Sequence, residues 1–303
     1  MDGVFLPTTM TGEAYSIFTP ETRIKGAVAI VHGMAEHRGR YIPFAQYLAD
    51  HGFGVLTYDL PGHGESVKEH RGYFGDENGW DVLVDSAVDA VRKTGETFPD
   101  VPLFLFGHSM GSIIARCFLQ KHDDMIDGLI LSGAPNYQAA AAAGIALGRV
   151  LRRFRGKTGT SKLMDQMVTG NFNRAVENPD TPLDWLSYDS ENVRKYIDDP
   201  DCGFGFTIQG YIDELRGIRR MHRVKRYLFN NPKLPIAFFA GADDPCTGGD
   251  AGLDDSAGTL VKAGYRDISV KRYPGMRHEI LNETGRQEVY EDIENWLEAH
   301  IHA

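Results

Sequence analysis

Short apolar runs rich in β-branched residues alternate with amphipathic helical patterns through the first 136 residues of the chain. Strands that are joined by helices lie parallel and are covered on both faces. Such strands therefore read as continuous apolar runs rather than as alternating ones. The alternation predicts an α/β fold class, with a mostly parallel sheet and helices on both of its faces.

The same periodicity predicts where the individual elements lie. Predicted strands cover residues 13–19, 26–32, 53–58, 102–107, 126–132, 235–241 and 267–273. Predicted helices cover residues 41–52, 79–97, 111–122 and 285–300. Glycine or proline follows several of these segments, as expected at the ends of helices and strands.

The alternation stops at Tyr137 and resumes after Lys233. Residues 137–233, called the insertion below, contain helical patches at 138–154, 164–175 and 207–228 and no clear buried strand. The sequence therefore predicts one sheet domain, built from residues 1–136 and 234–303, that is interrupted by a helical cap at 137–233. Apolar candidates for the lining of a tunnel under this cap are Ile145, Leu147, Leu151, Met164, Met167, Phe172, Phe204 and Phe206.

Charge is distributed unevenly between these two parts. The chain has 32 basic and 42 acidic residues, a net charge of −10, which argues against a nucleic-acid partner. The insertion carries 16 basic and 11 acidic residues, hence +5, and the remainder carries −15. The densest basic run comprises Arg149, Arg152, Arg153, Arg155 and Lys157. Solvated helix faces explain this run; so does transient contact between the cap and an anionic membrane surface.

Three widely spaced cysteines, Cys117, Cys202 and Cys246, predict neither a disulfide framework nor a zinc site. No apolar run reaches the roughly 18 residues of a membrane span, and the first residues do not resemble a signal peptide. The expected location is the cytoplasm, with peripheral membrane contact if the basic run serves that purpose. The sequence leaves the oligomeric state open.

Residues 107–111 read Gly-His-Ser-Met-Gly, a G-x-S-x-G pattern between a predicted strand and a predicted helix. Small residues two positions on either side let the backbone turn sharply enough to expose the Ser109 hydroxyl. The following helix N-terminus faces developing negative charge. The pattern predicts that Ser109 is a nucleophile.

A serine hydroxyl needs a base, and the base needs a carboxylate to orient it. His278 follows the last predicted strand, where such a base is expected. The loop after strand 235–241 offers Asp243 and Asp244, and the spacing from its glycine favours Asp244. The three residues occur along the chain as nucleophile, acid and base, which is one of the known orders of a Ser–His–Asp triad.

An oxyanion hole needs two backbone N–H groups. One is expected from Met110, the residue after the nucleophile, and the other from Met34, in the loop after strand 26–32.

Five motifs together resemble the monoacylglycerol lipase and lysophospholipase group of α/β-hydrolases, also described as serine aminopeptidase-like hydrolases. In chain order they are HGMAEHRGRY, YDLPGHGES, GHSMG, GADDP and PGMRHE. The resemblance covers nearly the whole chain and is weakest in the insertion. It implies an eight-stranded, mostly parallel sheet with a helical cap over the active site.

The resemblance also implies the reaction. It implies that Ser109, Asp244 and His278 cleave the ester of a monoacylglycerol or a related lipid through an acyl-enzyme, without a metal or an organic cofactor. In this group, residues equivalent to Glu36, Arg40 and His108 lie near the glycerol head. A structural ion pair that braces the oxyanion loop is the other interpretation of Glu36 and Arg40, and the two are compatible.

Other functions share these residues. A lysophospholipase or general carboxylesterase has the same catalytic groups and a different head-group pocket. A peptidase of the proline iminopeptidase type needs an acidic anchor for the substrate amine, for which the insertion offers Glu177, Asp180, Asp184 and Glu191. A non-catalytic ligand receptor of this fold often lacks a triad member, whereas this chain retains all three.

Overall fold

A seven-stranded sheet runs through the computed structural model, which describes residues 14–169 and 172–301. The strands are β1 (Tyr15–Phe18), β2 (Gly26–Val31), β3 (Phe53–Tyr58), β4 (Leu103–His108), β5 (Gly128–Ser132), β6 (Ile236–Gly241) and β7 (Ile268–Tyr273). Their spatial order is β1-β3-β2-β4-β5-β6-β7, and only β1 pairs antiparallel among these strands. Strands β2 to β6 are almost wholly buried, which explains their continuous apolar sequences.

Nine α-helices occur in the described residues. They are α1 (Ile42–Asp50), α2 (Gly79–Thr97), α3 (Met110–His122), α4 (Ala141–Arg155), α5 (Lys162–Val168), α6 (Ser190–Asp198), α7 (Ile208–Met221), α8 (Gly249–Ala263) and α9 (Arg286–His300). Helices α1 and α9 contribute Phe44 and Ile293 to the core on one face of the sheet. Helices α2, α3 and α8 contribute Leu83, Ile114 and Leu260 to the core on the other face. The predicted α/β class, with helices on both faces, is confirmed.

The described part of the insertion consists of helices α4 to α7 and short 3-10 turns, with no strand between β5 and β6. Helix α7 connects it to the sheet domain. A Cβ atom on Gly217 of α7 would lie 2.2 Å from the indole of Trp80 on α2, and one on Gly148 of α4 would lie 2.6 Å from Ile212. Glycine at these two positions therefore allows α7 to pack closely against both neighbours.

The structure differs from the sequence expectations in detail. Seven strands are described where the resemblance implies eight; residues 1–13 lie outside the described ranges. Helices α6 and α8 were not predicted. In α8, glycines and acidic residues interrupt the apolar positions and weaken the amphipathic pattern. No helix among the described residues is long and apolar enough to cross a bilayer.

Candidate active site

Ser109 occupies the sharp turn between β4 and α3. Its backbone has φ 51° and ψ −118°, a conformation that costs energy for a residue with a side chain. The Ser109 N–H donates to the Ser132 carbonyl over 2.9 Å, which holds the turn against β5. A Cβ atom on Gly107 would lie 2.6 Å from the Gly111 carbonyl oxygen, and one on Gly111 would lie 2.2 Å from that of Val31. The glycines of the motif are therefore needed for space.

His278 and Asp244 meet at the carboxyl end of the sheet. His278 Nδ1 lies 2.9 Å from Asp244 Oδ2, and both side chains are buried. The other oxygen, Asp244 Oδ1, accepts the Cys246 N–H over 2.8 Å. Burial opposes the charge of His278, but Asp244 and the nearby Glu279 outweigh it and raise the pKa of His278 above 6.5. The pair is thus arranged to accept a proton on the imidazole.

The two aspartates of the loop after β6 have different partners. Asp244 bonds to His278, whereas Asp243 Oδ2 accepts a hydrogen bond from the Tyr188 hydroxyl at 3.2 Å. Geometry therefore gives Asp244 the position that a triad acid requires, and connects Asp243 to the insertion.

Met34 and Met110 line the same cavity as Ser109. Met110 is the first residue of α3, so its N–H has no intrahelical acceptor. Met34 precedes Ala35, which has a positive φ of 51°. The Ala35 carbonyl accepts hydrogen bonds from the Tyr196 hydroxyl at 2.7 Å and from the Gly203 N–H at 2.9 Å. Residues of the insertion therefore hold the loop that carries Met34.

Glu36 and Arg40 belong to a buried charge cluster beside this loop. Glu36 accepts from the Tyr41 hydroxyl at 2.7 Å and from the Gly33 N–H, and it lies 3.7 Å from Arg40. Arg40 binds both oxygens of Glu279, at 2.6 and 2.7 Å. Burial and the charge of Glu279 raise the pKa of Glu36, and Arg40 opposes this rise. The bracing interpretation of Glu36 and Arg40 thus has direct contacts.

His108 precedes Ser109 in the chain, and its ring centroid lies 4.8 Å from that of His278. Its Nδ1 is 3.2 Å from the Ser132 hydroxyl. Burial, followed by the charges of His278 and Arg40, lowers the pKa of His108 well below 6.5. His108 is therefore neutral near pH 7 and offers the cavity a hydrogen-bonding group without charge.

One cavity of about 180 Å³ connects these groups. Of the predicted site residues, Met34, Glu36, His108, Ser109, Met110 and His278 line it. Arg40 and Asp244 lie behind this lining, bonded to Glu279 and His278. Apolar lining is contributed by Ile113, Val168, Phe172, Leu183, Trp185, Leu186, Phe204 and Ile218. Two of the eight tunnel candidates, Phe172 and Phe204, are among these residues. Ile145, Met164 and Phe206 pack into the core instead.

Several site residues escaped the sequence analysis. Glu279 directly follows His278 in the PGMRHE motif. This neighbourhood was the one feature of the sequence that could have marked Glu279 as a site residue. Glu283 accepts hydrogen bonds from the Ser187 hydroxyl at 2.8 Å and from the Arg277 N–H at 2.8 Å, tying the insertion to the His278 loop. Glu214, on α7, lines the cavity, and nothing in its sequence context distinguishes it from a surface glutamate.

Two groups of described residues bring possible metal ligands within 4.8 Å of one another. In the first, Asp244 and His278 already bond to each other, and burial raises the pKa of the Cys246 thiol. In the second, His37 bonds to Asp199 at 2.9 Å, and burial raises the pKa of Cys202. In both groups, therefore, the histidine is already paired with the carboxylate.

Comparison with known proteins places this geometry in a family. Residues 22–285 match the family described as serine aminopeptidase, S33. The chain is 28% identical over 287 residues to a monoacylglycerol lipase of Mycolicibacterium smegmatis, covering 95% of this chain and 93% of that protein. It is 26% identical over 281 residues to phospholipase YtpA of Bacillus subtilis, covering 90% and 95%.

A solved structure is also similar over nearly the whole chain. It is a thermostable carboxyl esterase of Bacillus coagulans in complex with glycerol, with a TM-score of 0.87, 29% identity, and 95% and 94% of the two chains covered. Because the family match extends over most of the sequence, the chain belongs to the serine aminopeptidase S33 family and has the α/β-hydrolase fold.

Proposed function

We propose that this member of the S33 family is a serine hydrolase that cleaves carboxylic esters, with monoacylglycerols as its substrates. The observation that carries the proposal is the buried His278–Asp244 pair at 2.9 Å, which shares a cavity with the strained Ser109. The names of similar proteins, a monoacylglycerol lipase and a carboxyl esterase, support the ester class.

In the first half-reaction, Ser109 Oγ attacks the ester carbonyl while His278 Nε2 accepts the hydroxyl proton. Asp244 keeps the other imidazole proton on Nδ1 and stabilises the imidazolium. The N–H groups of Met34 and Met110 bind the oxyanion. The tetrahedral intermediate then breaks its bond to the alcohol oxygen, and His278 protonates the leaving glycerol.

In the second half-reaction, His278 takes a proton from water, and the resulting hydroxide attacks the acyl-Ser109 ester. Collapse of the second tetrahedral intermediate releases the fatty acid, and the proton returns from His278 to Ser109 Oγ. Every step uses groups of this chain, the ester and water.

The distribution of polar groups supports a glycerol ester. Glu36, Glu279 and His108 provide hydrogen-bonding groups beside His278, while most of the other lining side chains are aliphatic or aromatic. We propose that glycerol binds at these polar groups, with Glu36 and His108 in contact and Arg40 holding Glu36 and Glu279 in place. The acyl chain then lies along the apolar part.

We further propose that residues 137–233 form a cap over a hydrolase core made of residues 1–136 and 234–303. The helical content of the insertion, with no strand among its described residues, supports this division. Glu283, from the loop before α9, binds the insertion at Ser187 and Tyr188. Trp185 of the insertion lies 4.9 Å from the His278 ring, so movement of this segment would change access to the base.

The cap is also proposed to touch membranes that hold the substrate. Val150 and Phe154 on α4 are 55% and 80% exposed, and Leu163 at the start of α5 is 51% exposed. The exposed Arg149 and Arg153 lie among them. Apolar side chains flanked by cations suit an anionic interface. Vesicle sedimentation tests this: we expect Phe154→Ser to weaken binding to phosphatidylserine vesicles, with Val82→Ser, an exposed residue of α2, as control. Vesicle binding that changes neither with salt concentration nor with the content of anionic lipid contradicts the proposal.

The deciding experiment is fatty-acid release from an equimolar mixture of monoacylglycerols, a lysophosphatidylcholine and a diacylglycerol. Wild type is compared with Ser109→Ala, and with Ser269→Ala as a control at an exposed serine of β7 that is not part of the cavity lining. Ser109-dependent loss of monoacylglycerol supports the proposal. Preferential loss of the lysophospholipid would agree with the similarity to phospholipase YtpA. It would mean that the substrate carries a phosphocholine head group instead of free glycerol. Equal activity of Ser109→Ala and wild type overturns the mechanism, and aminoacyl substrates are then tested.

A further inference from the structure

Glu214 is a buried acid whose Oε2 has no hydrogen-bond partner among the described residues. It lies on α7, is 4% exposed, and lines the same cavity as Ser109. Buried polar atoms in folded proteins nearly always have a partner, because leaving one unpaired destabilises the fold. An unpaired carboxyl oxygen on a residue that lines a binding cavity therefore points to a ligand group that completes it.

Glu214 lies on a different element from the polar groups Glu36, His108 and Glu279. The neighbouring carboxylate that raises its pKa is Asp165 on α5. One helical turn beyond Glu214, Ile218 also lines the cavity. Glu214 thus belongs to the part of the cavity that we assign to the acyl chain.

Asp165 is the second carboxylate in this region, and it is already bonded. Its Oδ1 accepts a hydrogen bond from the Tyr211 hydroxyl. Ile113 on α3, Val168 on α5 and Ile218 provide aliphatic surroundings. Glu214 therefore adds a buried, unpaired carboxyl oxygen to this apolar lining.

We propose that Glu214 forms a polar subsite in the acyl part of the cavity and selects esters whose acyl chain carries a hydroxyl group. The proposal rests on the proposed function, because it names the acyl class that the same Ser109 site hydrolyses. It explains why a cavity suited to a fatty acyl chain contains a carboxyl group that a plain chain would leave unpaired.

The protonation state of Glu214 favours a hydroxyl. Burial and the negative charge of Asp165 raise the pKa of Glu214 from 4.5 to about 8. Near neutral pH the group is a carboxylic acid, which has one O–H donor and a carbonyl acceptor. A hydroxyl group can donate to one and accept from the other. A plain methylene chain satisfies neither.

The test uses three kinds of monoacylglycerol. The first carries octanoate, the second carries a hydroxyoctanoate whose hydroxyl is placed at positions from mid-chain to the ω carbon, and the third carries ω-aminooctanoate. We expect wild type to hydrolyse one hydroxyl isomer with a kcat/KM about tenfold or more above that of octanoate. Glu214→Leu should reverse this preference, because leucine fits the plain chain. Glu214→Gln should retain part of it, since the amide still donates and accepts. Glu191→Gln, an exposed acid in the same insertion, serves as the matched control.

The possible outcomes separate the two proposals. If wild type hydrolyses neither the octanoate ester nor its hydroxylated forms, the proposed function itself is overturned. Normal octanoate hydrolysis with an equal hydroxyl-to-octanoate ratio in wild type and Glu214→Leu overturns only the subsite. A preference for the amino ester that Glu214→Leu removes makes the subsite a cation site and overturns the hydroxyl assignment. A cooperative thermal unfolding transition shows that each variant is folded. If Glu214→Leu does not fold, the hydroxyl preference of Glu214→Gln is compared with that of wild type instead.

Discussion

The Tyr196 hydroxyl donates a hydrogen bond to the Ala35 carbonyl oxygen over 2.7 Å, and so connects helix α6 of the insertion to the loop that carries Met34. The bond is buried, and the ring of Tyr196 also lies under Arg40, whose guanidinium carbon is 4.7 Å from the ring centroid. The insertion therefore touches the proposed oxyanion loop directly, and its position can affect the chemical step as well as substrate entry.

Removal of this hydroxyl should affect turnover more than binding. We expect Tyr196→Phe to lower kcat several-fold with little change in KM, because the ring remains and the Ala35 peptide loses one of its two holds. The free energy of unfolding should fall by about 1 kcal/mol. Steady-state kinetics and urea unfolding measure both effects. Tyr188→Phe, which loses an exposed bond to Asp243, is the control; equal kcat losses in the two variants would contradict the argument.

The two neighbouring aspartates should differ sharply in their effect on catalysis. Asp244→Asn removes the acceptor that fixes the His278 tautomer, and we expect kcat to fall by about 10³–10⁴. Asp243→Asn only weakens the exposed bond from the Tyr188 hydroxyl, since the amide oxygen still accepts, and should change kcat by less than about threefold. Initial rates with p-nitrophenyl butyrate distinguish them. Similar losses in both variants would show that Asp244 is not the triad acid.

The pH profile should report the raised pKa of His278. The protonated imidazole cannot accept the Ser109 proton, so kcat/KM should fall as pH decreases through an apparent pKa above 6.5. The negative charge of Glu279 contributes to this rise, and Glu279→Gln should therefore move the acid limb to lower pH. Glu191→Gln should leave it in place, because that side chain is exposed to solvent. An acid limb that does not move in Glu279→Gln contradicts the assignment.

Glu214 should make stability depend on pH. In the unfolded chain a glutamate loses its proton near 4.5, whereas Glu214 in the folded protein keeps it up to about 8. Between these values folding requires proton uptake, so the folded state loses stability as pH rises. The stability advantage of Glu214→Gln should grow by at most about 1.4 kcal/mol per pH unit in this window. Urea unfolding at several pH values measures it; an advantage that is constant with pH disproves the buried titration.

Two glycines in helices provide a test of packing at the nucleophile turn. Gly111→Ala places a Cβ atom 2.2 Å from the Val31 carbonyl oxygen and should lower the free energy of unfolding by about 2 kcal/mol or more. Gly258→Ala, in α8, meets no atom within 4 Å and should raise it by roughly 0.5–1 kcal/mol. Denaturant midpoints give both values. A tolerated alanine at position 111 would mean that the turn can relax.

The local motifs predicted much of the sheet domain. Strands β2 to β7 were located within one or two residues, because a strand buried on both faces has an apolar sequence that is visible without knowing its neighbours. The turn at Ser109 was equally clear, since its glycines are required by backbone contacts within a few residues and with β2. The order of Ser109, Asp244 and His278 followed from the order of the strands that precede them.

The insertion and the second layer of the site were decided by tertiary structure. An apolar residue such as Met164 looks the same in sequence whether it faces a cavity or a neighbouring helix, and here it packs into the core. Arg40 meets Glu279, 239 positions away, and Glu214 is buried by elements from across the chain. Burial and charge pairing depend on which distant segments surround a side chain. Sequence spacing therefore predicted Ser109, Asp244 and His278 as a group, whereas only the folded chain showed that Glu214 lines the same cavity as Ser109.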